Sequence, residues 1–370
     1  MKLTTPFMHT LTAQVLRQQN DGNVTLSPST VMLGTVLVTL AATKDSPTHK
    51  EACAVLKMDT DNEDEYLEEC KKIREDLTKG GGQVKVSMAT GMWCQNVKSS
   101  FTQLCLDKLE AQVRELAGYQ AINGWVAENT KGMIKDVLTT DPDGPLVAVP
   151  VLAFEGPWTY MMEDDEETGD FFFSPTEKEM QCPMMHLATE LQYTEINGVQ
   201  IVELPYGKDQ EFKAYVLLPP MLLNGTGVSS NVEAAIDLIA DTANWHGLKN
   251  SLDRKSVNLG MPQFKVEENM SLNDTLCKLG MPTAFGQDST FGRLSDNPDV
   301  YLKNMQHLVK IEVNTVGTKA AAAAPVVFAT RGSGGGRRKV IDMDVNRPFV
   351  FMITRDDVIL FASLVRKPEQ

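Results

Sequence analysis

Residues 302–338, LKNMQHLVKIEVNTVGTKAAAAAPVVFATRGSGGGRR, join three patterns that rarely follow one another in a folded chain. The segment His307–Asn314 is rich in apolar and β-branched residues and predicts a strand. The five alanines Ala320–Ala324 would favour a helix in isolation, whereas the Gly/Ser tract after Arg331 is typical of a flexible linker. Neither interpretation explains the whole stretch.

The rest of the chain intersperses helix and strand patterns without a repeat. Apolar residues at Phe7, Leu11 and Val15 predict an N-terminal helix, and the pattern from Phe101 to Leu138 predicts a helical region. The near-continuous apolar run Leu146–Trp158 predicts a strand that is buried on both faces, although Pro150 cannot donate to a ladder. Because no regular βαβ alternation occurs, we expect an α+β protein.

Composition limits the partners that this chain can have. Its 370 residues are 42% hydrophobic, and 49 acidic against 35 basic residues give a formal net charge of −14, which disfavours broad nucleic-acid binding. No apolar run reaches transmembrane length, and the N-terminus lacks the apolar core of a signal peptide. We therefore expect no nucleic-acid or membrane partner, and a cytoplasmic or leaderless secreted protein, or an extracellular one if a leader has been removed.

Recognisable catalytic and metal-binding motifs are missing. The five histidines form no HExxH or HxH motif, GxSxG does not occur, and the glycines before Lys339 lack the spacing of a phosphate-binding loop. The six cysteines are scattered without a CxxC pair, and we interpret them as reduced core thiols. The sequence predicts no metal site, no cofactor and no enzymatic activity.

Several segments resemble those of one family. The quoted stretch from Leu302 to Ala324 is similar to the serpin segment that forms the strand entering the reactive-centre loop and then the hinge of that loop. Six further segments match serpins in order and spacing: NVTLSPST (23–30), INGWVAENTKGMIKDVL (122–138), FEGPW (154–158), PMMH (183–186), IVELPYG (201–207) and RPFVFMI (347–353). Each match alone is weak evidence, but together they cover nearly the whole chain.

The resemblance implies a fold and a mechanism. Serpins have an α+β fold with three β-sheets, about eight to nine helices and an exposed reactive-centre loop, which here would span about residues 315–340 of a single domain covering residues 1–370. In the family a serine protease cleaves this loop, and the hinge then inserts as an extra central strand while the protease remains covalently attached. We therefore expect a monomeric protease inhibitor that traps its target as a suicide substrate.

The position of the scissile bond follows from the family's usual hinge length. Counting from Gly317 puts the bond at Arg331–Gly332, with Thr330 as the preceding P2 residue. An arginine at this point fits the carboxylate-floored pocket of trypsin-like proteases by bidentate pairing. Cleavage after Arg337 or Arg338 remains a second option, and a plain solvated loop charge remains the alternative interpretation of Arg331.

The implied hinge divides into two faces if it becomes a strand. One set of side chains can be buried: Thr318, Ala320, Ala322 and Ala324. The opposite set is Lys319, Ala321, Ala323 and Pro325. Lys319 replaces the acidic residue usual in the family, but it lies on the face that can stay in solvent, so we expect Lys319→Glu to be close to neutral. Pro325 would remove one ladder hydrogen bond, worth about 1 kcal/mol.

The resemblance also assigns supporting residues. Ser27, Pro28, Thr30 and His307 match the family's shutter, beneath the point where the central sheet opens. Trp158 matches the breach at the top of that sheet.

Some positions depart from the family pattern. Pro150 stands where the shutter usually has Asn, so we expect its polar network to be rebuilt, and Ser363 replaces a usual Gly. The region between Phe101 and Ile122 looks short, which puts the edge strand of the sheet in doubt. Thr315, Lys319 and Pro325 favour an alternative function, a non-inhibitory serpin that acts as a binding or chaperone-like module, whereas the alanine hinge disfavours it.

Overall fold

The computed structural model describes residues 3–18, 22–79, 82–164, 171–173, 180–224, 227–318 and 339–369. The helices within these ranges are α1 (Thr5–Leu16), α2 (Pro28–Ala41), α3 (Pro47–Leu56), α4 (Glu63–Thr78), α5 (Ser99–Leu109), α6 (Tyr119–Asn129), α7 (Val232–Asp237), α8 (Thr242–Ser251) and α9 (Asn273–Leu279), with short 3-10 turns at Thr60–Asn62 and Thr283–Phe285. None of these helices is long and apolar enough to span a membrane.

The strands of the described ranges are β1 (Val24–Leu26), β2 (Lys85–Cys94), β3 (Gln112–Glu115), β4 (Leu146–Pro157), β5 (Glu163–Asp164), β6 (Phe171–Phe172), β7 (Met180–Gln181), β8 (Met184–Ile196), β9 (Val199–Pro205), β10 (Phe212–Leu218), β11 (Met221–Asn224), β12 (Gly227–Ser230), β13 (Asp253–Pro262), β14 (Phe264–Ser271), β15 (Leu302–Val313), β16 (Gly317–Thr318), β17 (Ile341–Asp344), β18 (Phe349–Arg355) and β19 (Val358–Val365).

Six of these strands form the central sheet, in the order β14-β15-β16-β4-β2-β3. Its two middle strands, β4 and β15, run parallel and pair directly from Leu302 opposite Leu146 to Leu308 opposite Val151. Beyond that point the two-residue strand β16 lies between them and runs antiparallel to both. At one end of the central sheet, β4 and β15 therefore pair directly with each other, and at the other end β16 lies between them.

Two further sheets meet at the long strand β8. Its C-terminal end pairs with β9, which continues through β10, β18 and β19 to β1. Its N-terminal part pairs with β13 and β5, and β13 pairs in turn with β17. Apart from the small hairpins β6–β7 and β11–β12, the described strands thus form the three sheets that were predicted, within an α+β fold.

Helix α2 connects the sheets through the core. All of its residues are buried, and it contacts β2 and β4 of the central sheet and also β19. The proline at its first position, Pro28, lacks an N–H that the first turn would leave unpaired in any case. A helix that is buried on every side forms only inside a large protein.

The predicted helical region from Phe101 to Leu138 is wrong in two places. Helix α5 ends at Leu109, since the next residue, Glu110, has a left-handed φ of 49°, and β3 follows as an edge strand that pairs with Gly91–Cys94. Residues 130–138 are not helical: Lys131 and Gly132 have left-handed φ values of 52° and 77°, and the Asn123 side chain accepts hydrogen bonds from the N–H groups of Val137 and Leu138. The doubt about the edge strand is therefore also resolved, since β3 is present.

Candidate functional site

The end of the central sheet at β16 is the first part of the candidate site. Thr318 lies opposite Val313 of β15 and opposite Gly156 of β4, and Gly317 lies opposite Pro157. A chain that continued beyond Thr318 in the same direction would run between two strands that are both antiparallel to it. This placement makes residues 317–318 the start of a strand that the sheet could extend.

A tight turn delivers the chain to this position. The Asn314 side-chain oxygen accepts hydrogen bonds from the N–H groups of Val316 (3.0 Å) and Gly317 (3.2 Å). The Asn314 N–H donates to the Gly317 carbonyl at 2.9 Å, and the Gly317 N–H donates back to the Asn314 carbonyl at 3.2 Å. Asparagine favours such turns because its short amide replaces a backbone partner.

Gly317 fits this turn because of a close approach of two backbones. A Cβ atom at this position would lie 2.1 Å from the Gly156 carbonyl oxygen and 2.7 Å from the Pro157 Cα atom. Both are main-chain atoms of β4, so neither could rotate out of the way. The packing of β16 against β4 therefore requires glycine at position 317.

Trp158, the predicted breach residue, donates two hydrogen bonds to the turn. Its indole N–H donates to the Asn314 carbonyl at 2.9 Å, and its backbone N–H donates to the Val316 carbonyl at 2.9 Å. Its ring stacks on Tyr206, with ring centroids 4.4 Å apart and an interplanar angle of 17°. The indole thus connects the turn to the sheet that contains β9 and β10.

Tyr206 completes the contact with the hinge. Its hydroxyl group lies 2.6 Å from the Thr318 hydroxyl, and both residues are buried. Burial raises the pKa of Tyr206 well above its ordinary value, so the phenol stays protonated and can donate. Sequence reasoning did not single out Tyr206 or Asn314, although IVELPYG marked the segment that carries the tyrosine.

The predicted shutter residues lie at the start of α2 and on β15. The Ser27 N–H donates to His307 Nε2 at 2.9 Å, and the Thr30 hydroxyl donates to the Ser27 carbonyl at 3.1 Å. Pro28 starts α2 immediately after Ser27. The structure thus brings the four predicted shutter residues together where α2 meets β15.

His307 is neutral in this environment. Its side chain is fully buried, and desolvation lowers the pKa to about 4, more than the neighbouring Pro150 carbonyl raises it. Because Nε2 accepts the hydrogen bond from Ser27, the proton of the neutral ring is on Nδ1.

Pro150 lies between two polar residues of the sheet, Thr90 and His307. It lies opposite Thr90 of β2, whose hydroxyl has no hydrogen-bond partner among the described residues, and its carbonyl lies beside the His307 ring. The expectation that the polar network is rebuilt around Pro150 stays a prediction. The proline ring packs against Gly34 of α2, where an added Cβ would lie 3.3 Å from the ring.

Ser363 is accommodated by a different pairing. The Thr25 hydroxyl donates to the Ser363 hydroxyl at 2.9 Å, and both groups are buried where β1 pairs with β19. The extra hydroxyl group thus has a partner in the core.

The remaining predicted residues cannot be placed. Lys319, Ala320, Ala321, Ala322, Ala323, Ala324, Pro325, Thr330, Arg331, Gly332, Arg337 and Arg338 lie outside the described residues. The roles predicted for them remain predictions.

Reactive and metal-binding groups are not assembled elsewhere in the described ranges. No group of three or more His, Cys, Asp or Glu side chains there is arranged to hold a metal ion. None of the six cysteines forms a disulfide bond, and burial raises the pKa of Cys53, Cys94 and Cys105 to about 12. These thiols are protonated core groups at neutral pH.

Comparison with known families agrees with this geometry. Residues 2–368 match the family described as Serpin (serine protease inhibitor). The protein belongs to the serpin family. Membership in a family of protease inhibitors supports the expectation that it is not an enzyme. Many serpins inhibit serine proteases, but others do not, so membership alone leaves the activity open.

Proteins similar to this one occur in different organisms. Neuroserpin from Gallus gallus is 26% identical over 378 residues, covering 96% of this chain and 88% of neuroserpin. Antitrypsin from Bombyx mori is 25% identical over 367 residues, covering 95% and 90%.

Solved structures agree on the fold. Human thyroxine-binding globulin superposes with a TM-score of 0.84 at 18% identity, covering 100% of both chains. The thermophilic serpin tengpin in its native state superposes with a TM-score of 0.82 at 22% identity, covering 99% of this chain and 94% of tengpin. At these identities the likeness shows the fold alone.

Proposed function

We propose that this serpin is an inhibitor of trypsin-like serine proteases that works as a suicide substrate, with Arg331–Gly332 as the bond offered to the protease. The proposal assigns the hinge Gly317–Ala324 to insertion into the central sheet after cleavage. It also assigns a one-to-one covalent complex with the protease as the final product.

The position of β16 carries the proposal. Thr318 already pairs with β15 on one side and with β4 on the other, at the end of the sheet where these parallel strands separate. Insertion would replace the direct parallel pairing of β4 and β15 with two antiparallel ladders. Antiparallel pairing is slightly more stable per residue, and one strand with two ladders makes about twice as many hydrogen bonds.

The alanines fit the path that such a strand would take. Continuing the register from Thr318, Ala320 would lie between Phe154 and Ile311, and Ala324 between Pro150 and His307. The four side chains on either side of these alanines are all buried. Small side chains suit this path because they lose little entropy and need little space.

The chemical step is ordinary acyl transfer. The protease serine oxygen attacks the Arg331 carbonyl carbon, and the bond from that carbon to the Gly332 nitrogen breaks. The Gly332 amine takes up a proton and leaves as a new N-terminus, so an ester joins Arg331 to the protease. Insertion would carry this ester away before water can hydrolyse it.

The arginine supports the choice of target. A guanidinium pairs bidentately with the carboxylate of a trypsin-like specificity pocket. One similar protein carries the name antitrypsin. Both observations favour an Arg-specific protease over one that prefers an aromatic side chain.

Mixing the purified protein with trypsin tests the proposal. A band that survives boiling in detergent is expected at the mass of trypsin plus residues 1–331, because the cleaved residues 332–370 are no longer covalently attached. Arg331→Ala should abolish this band. The Arg337→Ala and Arg338→Ala variants, which carry the same substitution further along the loop, should still form the complex. Cleavage after Arg337 or Arg338 would contradict the assigned bond. Cleavage without any covalent complex would support the non-inhibitory binding or chaperone-like function instead.

A further inference from the structure

Four charged residues form a row across one face of the central sheet beside β16. Lys85 on β2 lies opposite Glu155 on β4, and Lys265 on β14 lies opposite Glu312 on β15. The Lys85 ammonium is 3.7 Å from the Glu155 carboxylate. From β2 to β14 this charge row therefore reads positive, negative, negative, positive, and the two negative members flank the place where β16 ends.

The two glutamates share the outer face of the sheet. Phe154, Ile311 and Val313 are buried in the core, so the alternation of side chains along a strand turns Glu155 and Glu312 to the opposite side. Thr318, which pairs with Gly156 and Val313, is buried on the core side. The residue after Thr318 would therefore face outward if the strand continued.

The register fixes the neighbours of that residue. Moving one step beyond Thr318 moves one step back along both partner strands, from Gly156 to Glu155 and from Val313 to Glu312. The residue that follows Thr318 in the sequence is Lys319. We propose that Glu155 and Glu312 form a receiving site for the Lys319 ammonium in the first step of strand insertion, an inference that rests on the proposed inhibitory function.

Lys319 would stabilise the inserted strand because it completes a row of alternating charges. Neighbouring strands lie about 4.8 Å apart, so a side chain on the inserted strand lies next to one on each partner strand. Opposite charges directly across such a pair stabilise it, and like charges destabilise it. With Lys319 in place the charge row alternates over five strands, whereas an acidic residue would place three carboxylates side by side.

The register changes the expectation for this position. Parity alone places Lys319 on the solvent face and predicts that Lys319→Glu is neutral. The flanking glutamates predict instead that the lysine, which departs from the acidic residue usual in the family, matches this particular sheet. Lys319 therefore acts as a positioning residue for insertion.

The test compares how trypsin partitions between covalent complex and free cleaved inhibitor. At low ionic strength Lys319→Glu should raise the number of inhibitor molecules consumed per trapped protease about tenfold, because two attractive pairs become repulsive. Lys319→Gln should give a smaller rise. The difference should shrink in about 1 M NaCl, where screening acts over about 3 Å. Mass spectrometry restricts the count to molecules cleaved after Arg331.

Two further variants control the test. Lys339→Glu makes the same change of charge at an exposed position beyond the assigned scissile bond and should leave the partition unchanged. Adding Glu312→Gln to Lys319→Glu should recover part of the lost trapping, since it removes one repulsive neighbour. A salt-independent effect, or equal losses for Lys319→Gln and Lys319→Glu, would overturn the inference. Absence of a complex with the unchanged protein would instead overturn the proposed function.

Discussion

Thr318 joins the hinge to the body of the protein through one buried hydroxyl pair. Its hydroxyl group lies 2.6 Å from that of Tyr206, and the threonine itself is 1% exposed. A hydrogen bond between two buried groups contributes about 1 kcal/mol net, but an unpaired buried group costs about 1–3 kcal/mol. The side chain at position 318 therefore influences whether a strand can start here.

A charge at position 318 should convert the inhibitor into a substrate. Thr318→Arg would have to bury an unpaired cation between β4 and β15 before any alanine could follow, at a cost of several kcal/mol. Hydrolysis of the acyl-enzyme should then be faster than insertion. Detergent gels should show cleavage after Arg331 without a covalent band, whereas Thr318→Ser, which keeps the hydroxyl, should still trap protease. Unchanged trapping by Thr318→Arg would contradict insertion in this register.

His307 should make stability depend on pH in a defined window. Its pKa is about 4 in the folded protein and 6.5 in an unfolded chain, so the unfolded state binds more protons between these values. The free energy of unfolding should therefore be highest above pH 6.5 and fall by about 3 kcal/mol as the pH approaches 4. Urea midpoints measured at several pH values test this effect.

The control for that measurement replaces the titrating group. His307→Gln keeps an acceptor for the Ser27 N–H and cannot titrate, so its urea midpoint should decline less between pH 6.5 and 4. Equal slopes for the two proteins would show that other groups cause the pH dependence.

Sequence reasoning at the residue scale depended on which side of a strand each residue faces. The alternation around Thr318 placed it on the buried face, where the structure also has it. Tyr206 could not be found in that way, because its partner is 112 positions away in the sequence. Only the folded chain brings such groups together.

At the scale of elements, the turn Asn314–Gly317 positions the first hinge residues. It follows β15 directly, and contacts from Trp158 hold it against β4. The Gly317 position touches the backbone of Gly156 too closely for any side chain. The two-residue strand β16 thus depends on this turn for its place in the sheet.

A methyl group added at Gly317 should disturb the packing of β16 against β4. Gly317→Ala would force β4 or the turn to move and should lower the free energy of unfolding by about 1–3 kcal/mol, the usual cost of overpacking. Gly124→Ala is a matched control, because a Cβ there meets no atom within 4 Å and alanine favours the helix α6. Denaturant midpoints of both variants test the effect, and a Gly317→Ala midpoint at or above that of the unchanged protein would contradict the close approach.

The elements that sequence patterns predicted were those with long apolar runs. The run Leu146–Trp158 predicted a buried strand, and β4 occupies it despite Pro150. The short edge strand β3 was doubted because the region between Phe101 and Ile122 looked short. The strand forms there by pairing with β2. Local patterns do not reveal a partner that lies elsewhere in the chain.

At the scale of the whole molecule, the central sheet can gain a strand only where β4 and β15 separate. Strands β4 and β15 pair directly from Leu302 to Leu308, while β16 separates them above this region. A longer inserted strand would add hydrogen bonds on both of its edges. The proposed function requires that a more stable arrangement of the same chain exists, with the hinge as a strand between β4 and β15.

Cleavage of the loop should reveal that arrangement. Once the bond after Arg331 is cut, the hinge is free to extend from Thr318 between β4 and β15, where each added residue pairs on both sides. The melting temperature measured by calorimetry should rise well above that of the intact protein. Thr318→Arg, cleaved in the same way, should show little of this rise, because the buried cation blocks the first step. If the cleaved and intact forms of the unchanged protein melt together, the sheet does not accept the hinge as a strand, and the non-inhibitory function becomes the better explanation of this serpin.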